Sequence, residues 1–139
     1  MPIQRLDHYS IRTSKLDECR KFYVDVLSLE VGERPPFKFP GLWLYNEGRA
    51  VVHIIGFDAN DPKSLREYLG DRPAEEMNGT GSLDHVAFTA TGLAEMRERL
   101  SRHGIAFTER TVPNLMLHQV FVKDPNGVTI ELNYAASEA

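Results

Sequence analysis

The chain repeats a short pattern at a fixed interval, and this repeat limits its possible folds more than any other feature. A shift of 77 positions aligns Leu6, Asp7 and His8 with an identical Leu-Asp-His at 83–85. The same shift aligns identical residues at 16 and 93, 18 and 95, and 20 and 97, which makes six identities within fifteen positions. Self-similarity at one spacing indicates that the chain contains two copies of one structural module.

Each copy shows the same order of periodic segments. In the first copy, side-chain periodicity predicts a strand, a helix and three strands, at 3–12, 15–27, 29–33, 42–45 and 50–55. The second copy predicts the same series at 83–90, 93–103, 106–110, 117–123 and 128–134. The predicted fold class is therefore α+β, built from two tandem β-α-β-β-β modules.

The 139 residues favour a single domain, 1–139, made of these two modules. The modules cover about 3–56 and 81–135, and the connection 57–80 is polar, with a short helix predicted at 63–69. A connection of this length is longer than a simple turn requires, so we expect it to cover a site.

Charge and cysteine content exclude several classes of protein. Sixteen basic and twenty acidic residues give a net charge of −4 without long runs, which argues against a nucleic-acid or membrane partner. The N-terminal MPIQRLDH lacks the apolar core of a signal peptide, and no apolar run approaches the ~20 residues of a membrane span. With a single cysteine, the sequence predicts a cytoplasmic protein.

Both repeated histidines are predicted to lie on the polar face of their strands. Because alternate strand residues share a face, His8 groups with Ser10 and His85 groups with Ala87. The intervening apolar residues are expected to pack under the helices.

The last predicted hairpin adds a carboxylate. In VTIEL, Glu131 alternates with apolar residues, and its burial is costly unless a metal or a positive group neutralises it. A tight turn at Asn126-Gly127 would place Val122 or Val120 opposite Glu131, and either pairing puts His118 on the Glu131 face. The first-copy hairpin supplies His53 within AVVHIIG.

These residues together predict a metal site. A single strand histidine is more often a hydrogen-bonded structural residue than a ligand, but His8, His85 and Glu131 lie on strands that the repeat relates. Two imidazoles and a carboxylate suit one divalent ion of iron, nickel, cobalt, zinc or manganese, with positions left open for substrate.

Three segments carry a resemblance to a known family: LDHYSIRTSKLDECRKFYVDVLSLE, LDHVAFTA and FVKDPNGVTIELNY. They resemble the vicinal oxygen chelate superfamily, which includes glyoxalase I, methylmalonyl-CoA epimerase, extradiol dioxygenases and the fosfomycin- and bleomycin-resistance proteins. The resemblance covers nearly the whole chain. It implies a glyoxalase-like domain whose modules form a cupped mixed sheet around one divalent metal, frequently in a homodimer.

The resemblance also implies roles for individual residues. His8 corresponds to the first metal ligand, His85 to the third and Glu131 to the fourth. His53 corresponds to the second, where glyoxalase I has Glu and the epimerase has Gln. Resistance proteins that bind without a metal lack these ligands, so their presence argues against that branch.

Three functions remain open at this point. The first is a metal-dependent lyase or isomerase acting on a small substrate with vicinal oxygens, with His53 or His118 as the base, since imidazole titrates near pH ~6.5. The alternative is a single-domain Fe(II) extradiol dioxygenase, in which His8, His85 and Glu131 form the triad. The second alternative is a small-molecule binding or resistance protein without turnover. In each case we expect a homodimer, because paired sheets leave edges that need partners.

Overall fold

The structure is a computed structural model, and it describes residues 4–58, 60–70, 77–81 and 83–139. Its internal contacts divide the chain into two compact units, Met1–Met77 (unit 1) and Asn78–Ala139 (unit 2). Each unit contains a four-stranded mixed sheet and at least one helix, which confirms the predicted α+β class with two tandem modules. No helix of the described residues has the length and apolar character needed to cross a membrane.

Unit 1 follows the predicted order of elements. It consists of β1 (Tyr9–Thr13), α1 (Leu16–Arg20) with a π-helical continuation (Lys21–Val26), β2 (Glu30–Gly32), β3 (Gly41–Asn46), β4 (Arg49–Gly56) and α2 (Pro62–Leu69). The strand order is β1-β4-β3-β2, with β1 parallel to β4 and the other pairs antiparallel. The short helix predicted at 63–69 is present as α2.

Unit 2 repeats this topology. It consists of β5 (Val86–Thr89), α3 (Leu93–Arg102), β6 (Phe107–Val112), β7 (Leu117–Lys123) and β8 (Thr129–Ala135), with short 3-10 turns at Pro113–Leu115 and Ala136–Glu138. Its strand order, β5-β8-β7-β6, matches that of unit 1 element for element, with β5 parallel to β8.

The first strand of each unit begins later than predicted. Pairing starts at Tyr9↔Val52 in unit 1 and at Val86↔Ile130 in unit 2. His8 and His85 therefore stand one residue before the strands rather than inside them; residue 3 of the first predicted strand lies outside the described residues. The faces remain as predicted, since Ile11 is buried while Ser10 is exposed.

The first helix is not one α-helix over 15–27. Beyond Arg20 it continues as a π-helix, in which the Leu27 N–H bonds the Phe22 carbonyl five residues back. The buried residues of this helix, Cys19, Phe22, Tyr23 and Val26, form one apolar stripe toward the core.

One face of each sheet forms a core. The most completely buried apolar residues of unit 1 are Cys19, Tyr23, Val26, Leu44, Val52 and Ile54, and those of unit 2 are Leu93, Leu100, Val120, Ile130 and Tyr134. In unit 1 the helix packs against β4. The opposite face of each sheet contains His53 in unit 1 and Glu131 in unit 2, opposite the aromatic residues Trp43 and Phe121.

The β3–β4 hairpin contains a compensating irregularity. Its turn has two residues, Glu47 and Gly48, which both have positive φ. The register then shifts between Leu44 and Tyr45, because Val51 is an extra residue on β4. This β-bulge places His53 opposite Trp43, on the same face of the sheet.

The β7–β8 hairpin reaches the same register by another route. Its connection has five residues, 124–128, because the Asp124 carboxylate accepts hydrogen bonds from the backbone N–H groups of Asn126 and Val128, both at 2.8 Å. The odd number of connecting residues pairs Lys123 with Thr129 and Phe121 with Glu131. The prediction that Val122 or Val120 lies opposite Glu131 is therefore wrong, since it assumed an even number of connecting residues.

Tyr134 provides a test of this packing. Its hydroxyl is buried without a hydrogen-bond partner among the described residues, and burial raises the pKa of Tyr134 to about 12. We expect Tyr134→Phe to leave the free energy of unfolding unchanged or to raise it by about 1 kcal/mol, because a buried unpaired hydroxyl is removed. Urea denaturation measures this change.

Tyr23→Phe is the matched control, because the Tyr23 hydroxyl accepts a hydrogen bond from Tyr9 at 3.3 Å. It should cost roughly 0.5–1.5 kcal/mol. Equal destabilisation by the two substitutions would contradict the packing described for Tyr134.

Candidate functional site

The four predicted metal ligands occur as two pairs, one in each unit. His8 lies against His53 in unit 1, and His85 lies against Glu131 in unit 2. Within the part of the chain that the structure describes, no group of three or more His, Cys, Asp or Glu side chains is arranged to hold an ion. Each pair is therefore considered by itself.

His53 and Glu131 occupy equivalent positions in the two sheets. On the parallel side His53 is level with Ser10, and Glu131 is level with Ala87, which the repeat aligns with Ser10. The bulge at Val51 produces this match, because His53 stands one residue further from its turn than Glu131 does. The predicted placement of His53 on the polar face is confirmed.

In unit 1, three rings form a stack. The His8 and His53 rings are 3.7 Å apart and inclined by 14°, and the His53 and Trp43 rings are 3.9 Å apart and inclined by 9°. The Nδ1 atom of His8 is 2.6 Å from the Asp7 carboxylate. With Nδ1 engaged by Asp7, Nε2 is the nitrogen of His8 that can bind another group.

The environment of His53 favours a neutral imidazole. Burial lowers the pKa of His53, and the neighbouring His8 lowers it further, although a hydrogen bond with the Ala50 backbone and the charge of Asp7 oppose both effects. A neutral imidazole is the form that binds metals or accepts a proton. One ring nitrogen is engaged by Ala50, which leaves the other as an acceptor.

In unit 2, every polar atom of the pair is positioned by a neighbour. The Nδ1 atom of His85 is 2.8 Å from the Asp84 carboxylate, and its Nε2 atom is 3.0 Å from Oε2 of Glu131. The other oxygen, Oε1, accepts a hydrogen bond of 2.8 Å from Gln119. Because Glu131 is only 7% exposed, this bond fixes the carboxylate with Oε2 directed to His85.

Gln119 is itself held in place. Its amide also donates to Asn133 at 2.9 Å, and its oxygen accepts from Nε of Arg110 at 2.6 Å. The Arg110 guanidinium lies 5.2 Å from the centre of the Phe121 ring. A continuous row of contacts thus leads from Arg110 through Gln119 to Glu131, so a change at Arg110 reaches the carboxylate through the amide.

His118 does not join this group. Because Phe121 pairs with Glu131, His118 pairs with Tyr134 and points to the opposite, helix-covered face. There its Nε2 atom is 2.8 Å from Glu109 and its Nδ1 atom is 2.9 Å from the Thr111 hydroxyl. The prediction that His118 shares the Glu131 face is wrong, because the five-residue connection changes the register by one residue.

His118 belongs instead to a structural network with Glu109 and with Arg97 of α3. The guanidinium of Arg97 is 2.9 Å from Oε1 of Glu109, the oxygen that Nε2 of His118 also contacts. Burial raises the pKa of Glu109, but hydrogen bonds from His118 and Arg97 outweigh it and hold the pKa below its usual value. A lowered carboxyl pKa stabilises the fold above the unfolded-state pKa. This stabilisation is lost as the pH falls through the folded-state pKa.

His118→Leu tests the structural role. We expect a loss of about 1–3 kcal/mol in the free energy of unfolding, because Glu109 and Thr111 lose a buried partner, with no change in metal affinity. Urea denaturation measures the loss, and calorimetric metal titration measures the affinity. His103→Ala, at the exposed end of α3, is the control and should change stability by less than about 0.5 kcal/mol. A loss of metal affinity in His118→Leu would contradict this assignment.

Sequence reasoning missed the residues that orient the site. Asp7 and Asp84 hold the two histidines, and the repeated Asp-His dipeptide was the signal that could have identified them. Gln119 and Trp43 gave no comparable signal. The position of Trp43 depends on the bulge in the β3–β4 hairpin, and that of Gln119 depends on the β7–β8 connection, which the Asp124 side chain closes.

A cavity of about 320 Å³ opens beside the ring stack in unit 1. His8 and His53 line it together with aromatic and aliphatic side chains, and Arg34 is the cationic residue in its wall; the apolar residues include Phe37, Phe39, Trp43 and Ile55. A volume of this size accommodates a small organic molecule.

Comparison with known proteins identifies the family. The sequence model of the Glyoxalase/Bleomycin resistance protein/Dioxygenase superfamily matches residues 5–132. Among curated proteins, the chain is 26% identical over 130 residues to "Glyoxylase I 4" of Arabidopsis thaliana, an alignment that covers 91% of this chain and 68% of that protein. It is also 26% identical over 131 residues to a lactoylglutathione lyase of Neisseria meningitidis, covering 91% and 88% of the two chains.

Solved structures share the fold. TnmS3, an antibiotic binding protein from a Streptomyces species, superposes with a TM-score of 0.65 and 19% sequence identity, over 97% of this chain and 98% of that protein. At this identity the likeness concerns the fold alone.

Proposed function

Because the chain belongs to the Glyoxalase/Bleomycin resistance protein/Dioxygenase superfamily, we propose that it is a divalent-metal-dependent lyase or isomerase acting on a small substrate with vicinal oxygens. The observation that carries this proposal is the oriented pair of His85 and Glu131 in unit 2, with its equivalent pair in unit 1. The curated relatives at 26% identity, one of them a lactoylglutathione lyase, favour a lyase over the other chemistries.

The donor atoms fit a divalent metal. The separation of 3.0 Å between Nε2 of His85 and Oε2 of Glu131 suits two ligands of one ion, since metal–ligand bonds of ~2.1 Å at right angles give about 3 Å. Asp84 and Gln119 occupy the other polar atoms, so each ligand presents a single free atom. Such outer partners are typical of metal-binding histidines and carboxylates.

We propose that His8 and His53 of unit 1 and His85 and Glu131 of unit 2 are metal ligands. When bound, a divalent metal would act as a Lewis acid on the vicinal oxygens of the substrate. Imidazole and carboxylate ligands suit the divalent ions of iron, nickel, cobalt, zinc and manganese, so all five are candidates for the metal. The protein's own contribution is orientation: Asp7 and Asp84 fix the ring tautomers of His8 and His85.

Proton transfer requires a base close to the bound substrate. Glu131 supports this role only when Oε2 is not held by the metal, because Gln119 engages Oε1. His53 is kept neutral by burial and has one nitrogen to accept a proton. We assign the role to one of these two residues and no longer to His118, which lies on the opposite face of its sheet.

Metal analysis tests the ligand assignment. His85→Ala and Glu131→Ala are each expected to lower metal affinity by more than about 100-fold, because a direct ligand is lost. Asp84→Asn should cost only about 10–100-fold, because an orienting partner is weakened. His103→Ala is the matched control and should retain the metal. Mass spectrometry of desalted protein gives the stoichiometry, and circular dichroism reports the fold. Unchanged stoichiometry in His85→Ala and Glu131→Ala would rule out the site.

The reaction is tested on protein purified without added metal. We expect nickel, cobalt or zinc, with turnover of lactoylglutathione as the first assay because a relative bears that name. His53→Ala should then lose metal and activity together. If it keeps the metal and turnover falls by roughly 10²–10⁴-fold, His53 is an acid–base residue and not a ligand.

A second candidate function is an Fe(II) extradiol dioxygenase. The observation favouring it is the cavity of unit 1, where Phe37, Phe39 and Trp43 offer faces for an aromatic ring. Iron in the purified protein, with oxygen uptake on catechols, would establish this reaction in place of the first. The third function, binding without turnover, predicts that the protein retains its ligand after metal removal. TnmS3, which shares the fold, is an antibiotic binding protein.

We further propose that the protein is a cytoplasmic homodimer acting on a small molecule. The described residues place β1 and β2 at the edges of one sheet and β5 and β6 at the edges of the other. Edge strands have unpaired backbone groups that a second copy can cover. The single-domain organisation, with modules at 3–56 and 81–135, remains part of this proposal.

A further inference from the structure

Arg34 is a partly buried cation that has no carboxylate partner among the residues that the structure describes. Among the described residues no Asp or Glu lies within ion-pairing distance of its guanidinium, and burial lowers the pKa of Arg34 without any opposing charge. Its one hydrogen bond among those residues goes from Nη2 to the Phe39 carbonyl, at 2.7 Å. A guanidinium has five N–H donors, so most of its donors are available to a ligand.

The protein holds this guanidinium in place. Arg34 lies 5.5 Å from the centre of the Phe37 ring and 5.7 Å from that of Phe39. Its segment is fixed at one end by the Tyr45 hydroxyl, which donates to the Glu33 carbonyl at 2.6 Å. At Gly41 a Cβ atom would come within 3.2 Å of Nη1, so the absence of a side chain there leaves room for the guanidinium.

The rest of the cavity is largely apolar and aromatic. Phe37 and Phe39 stack at 4.8 Å, and Trp43 extends the stack of His53 and His8. All five rings line the cavity that contains Arg34. A ligand that satisfies both features needs an apolar ring for the aromatic walls and an anion for the guanidinium.

We infer that the unit 1 cavity binds an aromatic carboxylic acid, with its carboxylate on Arg34 and its ring against the aromatic side chains. A carboxylate matches the planar donors of a guanidinium in a bidentate contact. As a statement about the substrate, this inference rests on the proposed function, because it places the acid beside His8 and His53. As a statement about binding, it rests on the cavity alone.

The test uses 3-phenylpropionate as the probe, and its amide and acetate as comparisons. Isothermal titration calorimetry is performed on chelator-treated full-length protein at pH 8, where ordinary imidazoles are neutral and do not attract the anion. Trp43, the single tryptophan of the chain, lines the cavity, so its fluorescence gives a second readout. We expect the acid to bind at least about 10-fold more tightly than the amide, and acetate to bind weakly.

Variants assign this preference to Arg34. Arg34→Gln should weaken binding of the acid by about 10–100-fold and leave the amide unchanged, and Arg34→Lys should restore part of the loss. Arg20→Gln, an exposed arginine of α1, is the matched control and should bind like the wild type. Circular dichroism confirms that each variant is folded.

Two results would overturn the inference: equal affinity for the acid and the amide, or an unchanged preference in Arg34→Gln. Both results are independent of the proposed metal-dependent function, because the titrated protein contains no metal. Selective binding of the acid by a protein that never acquires a metal would refute the proposed function and keep the carboxylate subsite. A protein that binds metal but does not prefer the acid to the amide would refute the carboxylate subsite and keep the proposed function.

Discussion

The alternation of side chains along paired strands decides which residues can act together in each unit. A shift of one residue turns a whole strand over, so the register beside each turn determines whether His53 and Glu131 reach the polar face. The two hairpins meet this requirement differently. In one, the bulge at Val51 corrects the register set by a two-residue turn; in the other, Asp124 closes a connection of five residues. Both arrangements place an aromatic residue opposite the polar one, Trp43 in unit 1 and Phe121 in unit 2.

The repeated Asp-His dipeptide has a physical basis in ring orientation. A neutral imidazole has one donor and one acceptor nitrogen, and a partner at Nδ1 determines which nitrogen remains for a ligand. Asp7 and Asp84 provide that partner at equivalent positions, two residues before β1 and β5. Both aspartates are exposed, so they remain charged at little desolvation cost while they orient His8 and His85. The second unit adds Gln119 and Arg110, which position the largely buried carboxylate of Glu131.

Much of the fold could be predicted from sequence, because the repeat and the apolar periodicity are local signals. The β-α-β-β-β order, the helix α3 and the faces of His8 and His85 followed from them. Registers could not be predicted in the same way, because they depend on side-chain contacts within turns. The face of His118 was misassigned for this reason: Asp124 lengthens the connection that Asn126-Gly127 alone would have closed. The π-helical segment after Arg20 was also missed, since helical spacing assumes α geometry throughout. Arg34 had no signal at all, because no local pattern in the sequence marks an arginine that lines a cavity.

The positions of Cys19 and Trp43 have a consequence for following the unfolding of this chain. They are its only cysteine and only tryptophan, and both belong to unit 1. Cys19 is fully buried, with its thiol 3.7 Å from the Thr13 hydroxyl, so thiol reagents reach it only when that core opens. Thiol labelling and tryptophan emission therefore report the opening of the first unit, whereas far-ultraviolet circular dichroism averages over both. The duplicated chain thus contains probes in one half only, and comparing these signals separates the unfolding of one half from that of the whole.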